Sequence, residues 1–222
     1  MAGLSRPLAT LCALAAAALT FAGNLIHEEA MSTYRRAVEE SSKNKPKATA
    51  LLRGLLLSTV VVGIDRSSLA GGDYDWEDGV LAGLNVWSNA LDDSPFLMAK
   101  EGEKADIVIK FVDKINDSNH AQGLVKAQRH FYWQGNQSGA RVSGTIFVRS
   151  NVGRRWISGD EISRVVSHEL GHLLGLDDDR NGDGIMGDFV AGRGHKQPSR
   201  NELDSVLDFR KMVRDALRDQ TR

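Results

Sequence analysis

The amino-acid sequence predicts an α+β fold: a twisted mixed sheet of about four to five strands with an active-site helix, a packing helix and a C-terminal helix. Three features predict it. Several apolar, mostly β-branched runs of strand length are set between polar or glycine-rich loops. Val80, Leu84, Trp87 and Leu91 recur at three- and four-residue steps, the mark of one apolar helix face. The pairs Ser158/Glu161 and Ser199/Glu202 each have the spacing of a capping box.

Taken in order, Arg6 and the apolar run Pro7 to Ala22 read as a positive n-region and an h-region, with Thr20-Phe21-Ala22 before Gly23 as a cleavage site. Residues 1–22 are expected to be a secretory signal peptide or, if retained, an N-terminal anchor. Cys12 lies inside the run behind Leu11 rather than a small residue, which argues against lipidation. Ile26 to Ser42 is charged and helix-favouring, Ser41 to Pro46 reads as a polar linker, and Ala48 to Leu57 is a second apolar segment. Residues 23–57 fit either a helical lead-in packed on the domain or a removable prosegment. The domain proper is expected over 58–222. Ser58 to Ile64 has the continuous apolar character of a strand buried on both faces. Asp75 to Leu91 is the packing helix, Ala105 to Val112 a second strand, Gly123 to Trp133 a third, and Gly144 to Val148 a fourth beyond a turn region at Gly135 to Gly139. The active-site helix starts near Ser158, and Gly175 offers it a stop. The last helix opens at Pro198-Ser199 and runs to about Leu217, with Leu203, Val206, Leu207 and Val213 as its buried stripe.

With 222 residues and a formal net charge of −1, the chain is long enough for a real core and has no electrostatic bias towards nucleic acid or an anionic membrane. Its only cysteine is Cys12, so a chain lacking the leader has neither a disulfide nor a thiolate nucleophile. A monomer is expected.

The chemistry concentrates between Ser167 and Asp188. His168-Glu169-Leu170-Gly171-His172 puts two imidazoles one turn apart on one helix face, where both reach a single metal ion. Glu169 lies one position round, placed to act as a general base without being a ligand. Asp178 follows His172 by six residues, after a glycine that lets the chain reverse towards the metal, and aspartate is an acceptable zinc ligand. His195, on a glycine-rich loop, and Glu202, as in a gluzincin, are the alternatives. The run Asp179, Asn181, Asp183 resembles the first half of an EF-hand loop, yet its twelfth position is Val190, so it reads either as a calcium site or as a solvated acidic turn.

With Gly175, Asp178 and Met186 in these positions, the sequence resembles the metzincin zinc endopeptidases, and the matrixins in particular. Val86-Trp87-Ser88, Ala105 to Ile109 and Gly144 to Phe147 resemble their first helix, their aspartate-marked strand and the strand before the active helix. The resemblance implies a metzincin-like zincin fold and a zinc-dependent endopeptidase. Its ligands would be His168, His172 and Asp178, its base Glu169, and Met186 would form a methionine turn beneath the metal. Peptide or protein substrates would lie along an edge strand near Gly123 to Phe131. Matrixins carry histidine where this chain has Asp178, which is similar in this to the snapalysin-type proteases; Gly187-Asp188 replaces their tyrosine-proline wall. His120 and His130 fall where matrixins bind a structural zinc, but the accompanying pattern is missing and both read as surface or strand histidines. Rival readings are a non-catalytic, zinc-stabilised binding module and a membrane-anchored protein.

Overall fold

The computed structural model describes residues 25–69, 76–93, 95–115, 121–135, 137–179, 182–192 and 197–221. The leader, Asp75, His120, Asn181 and His195 lie outside them. Val60–Ile64 (β1) and Ile107–Val112 (β3) pair in parallel at the centre of a five-stranded sheet ordered β2-β1-β3-β5-β4. Phe96–Met98 (β2) and Gln137–Arg149 (β5) extend the parallel set on either side. Gly123–Gln134 (β4) runs antiparallel to β5 and forms the far edge. Asp106 ties the centre together, its Oδ2 accepting from Val61 N at 2.9 Å.

β1 departs from the expected double burial. Val60 and Val62 are buried while Val61, Gly63 and Ile64 are only half-buried, because the large helices cover one face of the sheet. Those helices are Trp76–Ala90 (α3) and Gly159–Leu173 (α4). Val80, Leu84, Trp87 and Leu91 all enter the core as their spacing predicts. The backbones approach closely: a Cβ on Gly79 would lie 2.8 Å from Gly159 O, and Trp87 Nε1 donates to Ser167 O at 2.7 Å. The turn expected over Gly135 to Gly139 is shorter, since Gln134 already pairs with Gln137. That end of the hairpin is polar and half-exposed, so no apolar alternation marks it.

The segment before β1 folds into Glu28–Glu40 (α1) and Lys45–Leu56 (α2), which pack against the C-terminal helix Arg200–Thr221 (α5). α2 begins inside the expected linker: Asn44 Oδ1 caps Lys47 N at 3.1 Å, and Pro46 sits in the first turn, where its missing N–H costs nothing. Met31, Tyr34, Leu51, Leu52 and Leu55 join Phe209 and Val213 in a second apolar cluster. Burying those five lead-in side chains contributes on the order of 10 kcal/mol, comparable with the whole net stability of an ordinary domain. On α5, Val206 and Val213 are buried as expected, Leu203 is half-buried, and Leu207 is 39% exposed. The buried stripe instead runs Glu202, Val206, Phe209, Val213, Ala216, the helical repeat that faces both clusters.

α4 opens with the predicted capping box, Ser158 and Glu161 bonding reciprocally. Glu161 also takes a bidentate pair from Arg155 at 2.7 Å and a bond from Gly192 N at 2.9 Å. The Arg155 guanidinium, helped by the Ser158 and Gly192 N–H groups, outweighs burial and holds its pKa down to about 2. A carboxyl depressed on folding stabilises fully above its ordinary value and loses that contribution as pH falls through the folded one. Stability in urea should therefore decline between about pH 5 and pH 2, and Glu161→Gln should flatten that decline.

Candidate metal centre

α4 brings His168 and His172 together with their rings edge to face, centroids 4.8 Å apart. Their tautomers are set by the backbone. His168 Nδ1 lies 2.9 Å from Ile185 O, and His172 Nδ1 lies 2.9 Å from Leu176 O. A carbonyl only accepts, so each Nδ1 carries the proton and each Nε2 offers its lone pair. Both Nε2 atoms face Asp178 Oδ1, at 3.1 Å from His168 and 3.5 Å from His172. The three donor atoms lie within 4.8 Å of one another, and the Asp178 side chain is 58% exposed. Two neutral imidazoles and one carboxylate, open to solvent on one side, suit zinc in a reactive rather than a sealed site. Burial lowers the pKa of His172; at His168 burial also acts downward, but the Asp178 carboxylate beside Nε2 and the Glu169 charge favour the protonated ring and raise it overall.

The chain reversal that makes this possible is a Schellman turn. Gly175 adopts φ +98°, its N–H donates to His172 O at 3.0 Å, and Leu176 N donates to Gly171 O at 3.0 Å. The turn delivers the Leu176 carbonyl to the His172 ring and sends Asp178 back over both histidines. Met186 is buried below: a Cβ on Gly171 would overlap its sulfur and come within 3.3 Å of Trp87.

Glu202 answers a different need from the one its position suggested. It is fully buried, and its carboxylate accepts from Met186 N and Ser199 N, each at 2.6 Å, and from Ile185 N at 3.1 Å. With its oxygens taken by three N–H groups, it is a clamp on the methionine turn and not the third ligand of a gluzincin. The same clamp holds Ile185, whose carbonyl orients His168.

Glu169 is almost wholly buried beside the histidines, outside the three-donor set. Burial pushes its carboxyl up to about 7, against the pull of His168 and a bond from the Val125 backbone. A bound cation would draw it back down. β4 runs so close that a Cβ on Gly123 would overlap Glu169 Oε1. A cleft of about 780 Å³ follows β4 from Gly123 to Phe131 past His168, Glu169 and His172. A smaller cavity of about 250 Å³ lies on the other side, between Val165 and the Met186 to Phe189 segment. There Arg164 donates to Asp188 O and lies 5.6 Å over the Phe189 ring.

Residues 64–206, well over half of the chain, match the sequence model of the matrixin peptidase family. The chain belongs to the matrixin family. It is a zinc metallopeptidase, acting on protein or peptide substrates. In this matrixin the groups that sequence reasoning missed are mostly backbone ones: Leu176 O, Ile185 O and the Val125 N–H, which no side-chain motif announces. His27, Glu29 and Thr33 of the lead-in also line the cleft, a placement their charged helical segment does not reveal. His130 is an exposed strand histidine, its Nε2 3.0 Å from Ser143 Oγ. In the acidic run, Asp179 folds its side chain against Gly182. Among the described residues, His168, His172 and Asp178 are the one set of three His, Cys, Asp or Glu whose donor atoms converge.

Glu202→Gln, which turns an acceptor into an amide facing three N–H donors, should cost about 2–3 kcal/mol in urea unfolding while the folded protein still binds one zinc by metal analysis. Loss of stoichiometric zinc at full stability would make Glu202 a ligand after all.

Proposed function

We propose that this matrixin is an endopeptidase that works outside the cytoplasm, with Glu169 as general base and His168, His172 and Asp178 as zinc ligands. The observation that carries the reading is the position of Glu169: a buried carboxylate beside the three-donor set, excluded from it, and touching the strand along which a peptide can lie. A purely structural zinc site has no use for such a group.

β4 is the sheet edge, with β5 as its only neighbour among the described strands. An extended peptide can add to it through main-chain hydrogen bonds, which bring its scissile carbonyl over the histidines. Zinc, when bound, supplies Lewis-acid polarisation of that carbonyl and acidifies water. Glu169 takes the proton from the attacking water and passes it to the departing amine. The Val125 N–H keeps the carboxylate aimed through both transfers. Asp178 replaces a neutral imidazole with a carboxylate, which makes the ligand set one charge less positive and softens the polarisation.

Extracytoplasmic action rests on the leader, whose cleavage after Ala22 would give a mature chain beginning at Gly23. Mass spectrometry of the exported protein should find that terminus; a retained leader would make the protein membrane-anchored.

Glu169→Ala should keep one zinc per chain and lower kcat/KM on casein by about 10²–10⁴-fold. Undiminished cleavage would sink the general-base role, and absence of cleavage in the parent protein would favour the binding-module reading. Asp178→Ala should weaken zinc binding by more than the roughly 10–100-fold that loss of an outer-shell partner costs, measured by competition with a chromogenic chelator.

A further inference from the structure

We propose that the lead-in, residues 25–57, stays with the mature protease as a wall of its substrate cleft, where α1 selects among extended peptides; this rests on the endopeptidase reading. Three observations support it. Leu25 to His27 pair with the metal loop itself. Asp177 N donates to Leu25 O and His27 N to Gly175 O, both at 2.7 Å, in an antiparallel bridge of Ile26 with Leu176. The bonded stretch includes Leu176, whose carbonyl orients His172, and ends next to Asp178. Removing the lead-in would free two main-chain groups at the point where the ligand loop is aimed.

The second observation is the shared core. α1 and α2 hold one side of the cluster whose other side is α5, and α5 carries the Glu202 clamp on the methionine turn. α2 also lies against the β4–β5 hairpin, so tightly that a Cβ on Gly54 would overlap the Phe131 ring and touch Ala140. A prosegment that is cut away must leave a surface stable without it; this one would uncover Phe209, Met212 and Val213 together.

The third is what α1 presents to the cleft. His27 is occupied as the helix cap, its Nδ1 accepting from Glu29 N at 3.1 Å, and contributes no donor to the metal set. Ala30 and Thr33 face the same space one helical turn along, opposite Arg129 of β4, whose guanidinium reaches across to Leu173 O at 2.8 Å. The segment thus borders the cleft without plugging the ligands. A peptide lying on β4 that extends beyond His172 meets α1, first at Glu29 and then at Thr33. Glu29 is exposed there, whereas the Arg129 guanidinium that feels its charge is held on Leu173 O, so the contact prefers a basic side chain over an acidic one.

The test uses the full chain. A site for a sequence-specific protease placed in the Ser41 to Asn44 turn allows α1 to be cut from the rest after folding. The expected result is that cut α1 co-elutes with the domain in size exclusion, and that stripping it with mild denaturant lowers the Tm and the zinc affinity together. Dissociation of α1 with unchanged Tm and zinc affinity would overturn the proposal. For the wall, peptides are lengthened by basic residues at each end in turn. Glu29→Lys and Thr33→Trp should each lower the ratio of kcat/KM for the long peptide over the short one by about tenfold at one end, through KM rather than kcat. Binding of the same peptides to Glu169→Ala protein reads the contact without turnover. Failure of any peptide to bind would overturn the proteolytic reading and this inference with it; equal ratios in parent and variants would overturn the wall alone.

Discussion

Two backbone carbonyls decide what this metal centre can be. Ile185 O and Leu176 O each take the Nδ1 proton of a histidine, and so leave both Nε2 lone pairs pointing at one place beside Asp178. A histidine free to rotate, or protonated on Nε2, would present the wrong atom. Much of the surrounding architecture holds those two carbonyls still. The Schellman turn at Gly175 places the Leu176 carbonyl; the Glu202 carboxylate, buried and bound to three N–H groups, places that of Ile185.

This dependence explains why elements remote from the chemistry are built as they are. α3 sits close enough to α4 for Trp87 to bond Ser167 O, next to His168. α5 contributes no ligand, yet its first turn carries the clamp on the methionine turn, and its apolar stripe binds α1 and α2. The lead-in in turn pairs with Gly175 and Asp177. The loop from Gly175 to Asp178 is therefore gripped from the sheet side through α4, from below by Met186 and Glu202, and from its outer flank by Leu25 to His27. Glu169 stands apart from the three donor atoms, buried so close to β4 that a Cβ on Gly123 would overlap its carboxylate.

The match to matrixins covers 64–206 and so begins after the lead-in. Within it the departures are local. An aspartate stands third among the ligand candidates, and Gly187-Asp188 forms the segment after the methionine, with Arg164 bonded to the Asp188 carbonyl. Both lie on loops that the helix and sheet present from outside.

Local physics made a good part of this legible in one dimension. The spacing of His168 and His172 follows from the helical repeat, the stop at Gly175 from the freedom of glycine at positive φ, and the start of α4 from the Ser158/Glu161 box; each depends on neighbours within a few residues. The same locality made α3 and the central strands readable from their apolar periods. What the tertiary structure alone decided involves groups far apart in sequence. β2 is three residues held by a parallel neighbour, too short to show a period. β1 looked doubly buried because its run is apolar throughout, but which faces are covered depends on where the helices settle. Leu207 and Leu203 share an apolar identity with Val206, and only the positions of two clusters determine which of them point inward. Glu202 could be written as a ligand from its type and place; three N–H groups brought in from Ile185, Met186 and Ser199 gave it another task. The lead-in shows the limit most plainly, because its charged helix carries no mark of the cleft it borders, and that role arises only when Ile26 meets Leu176 across 150 residues of chain.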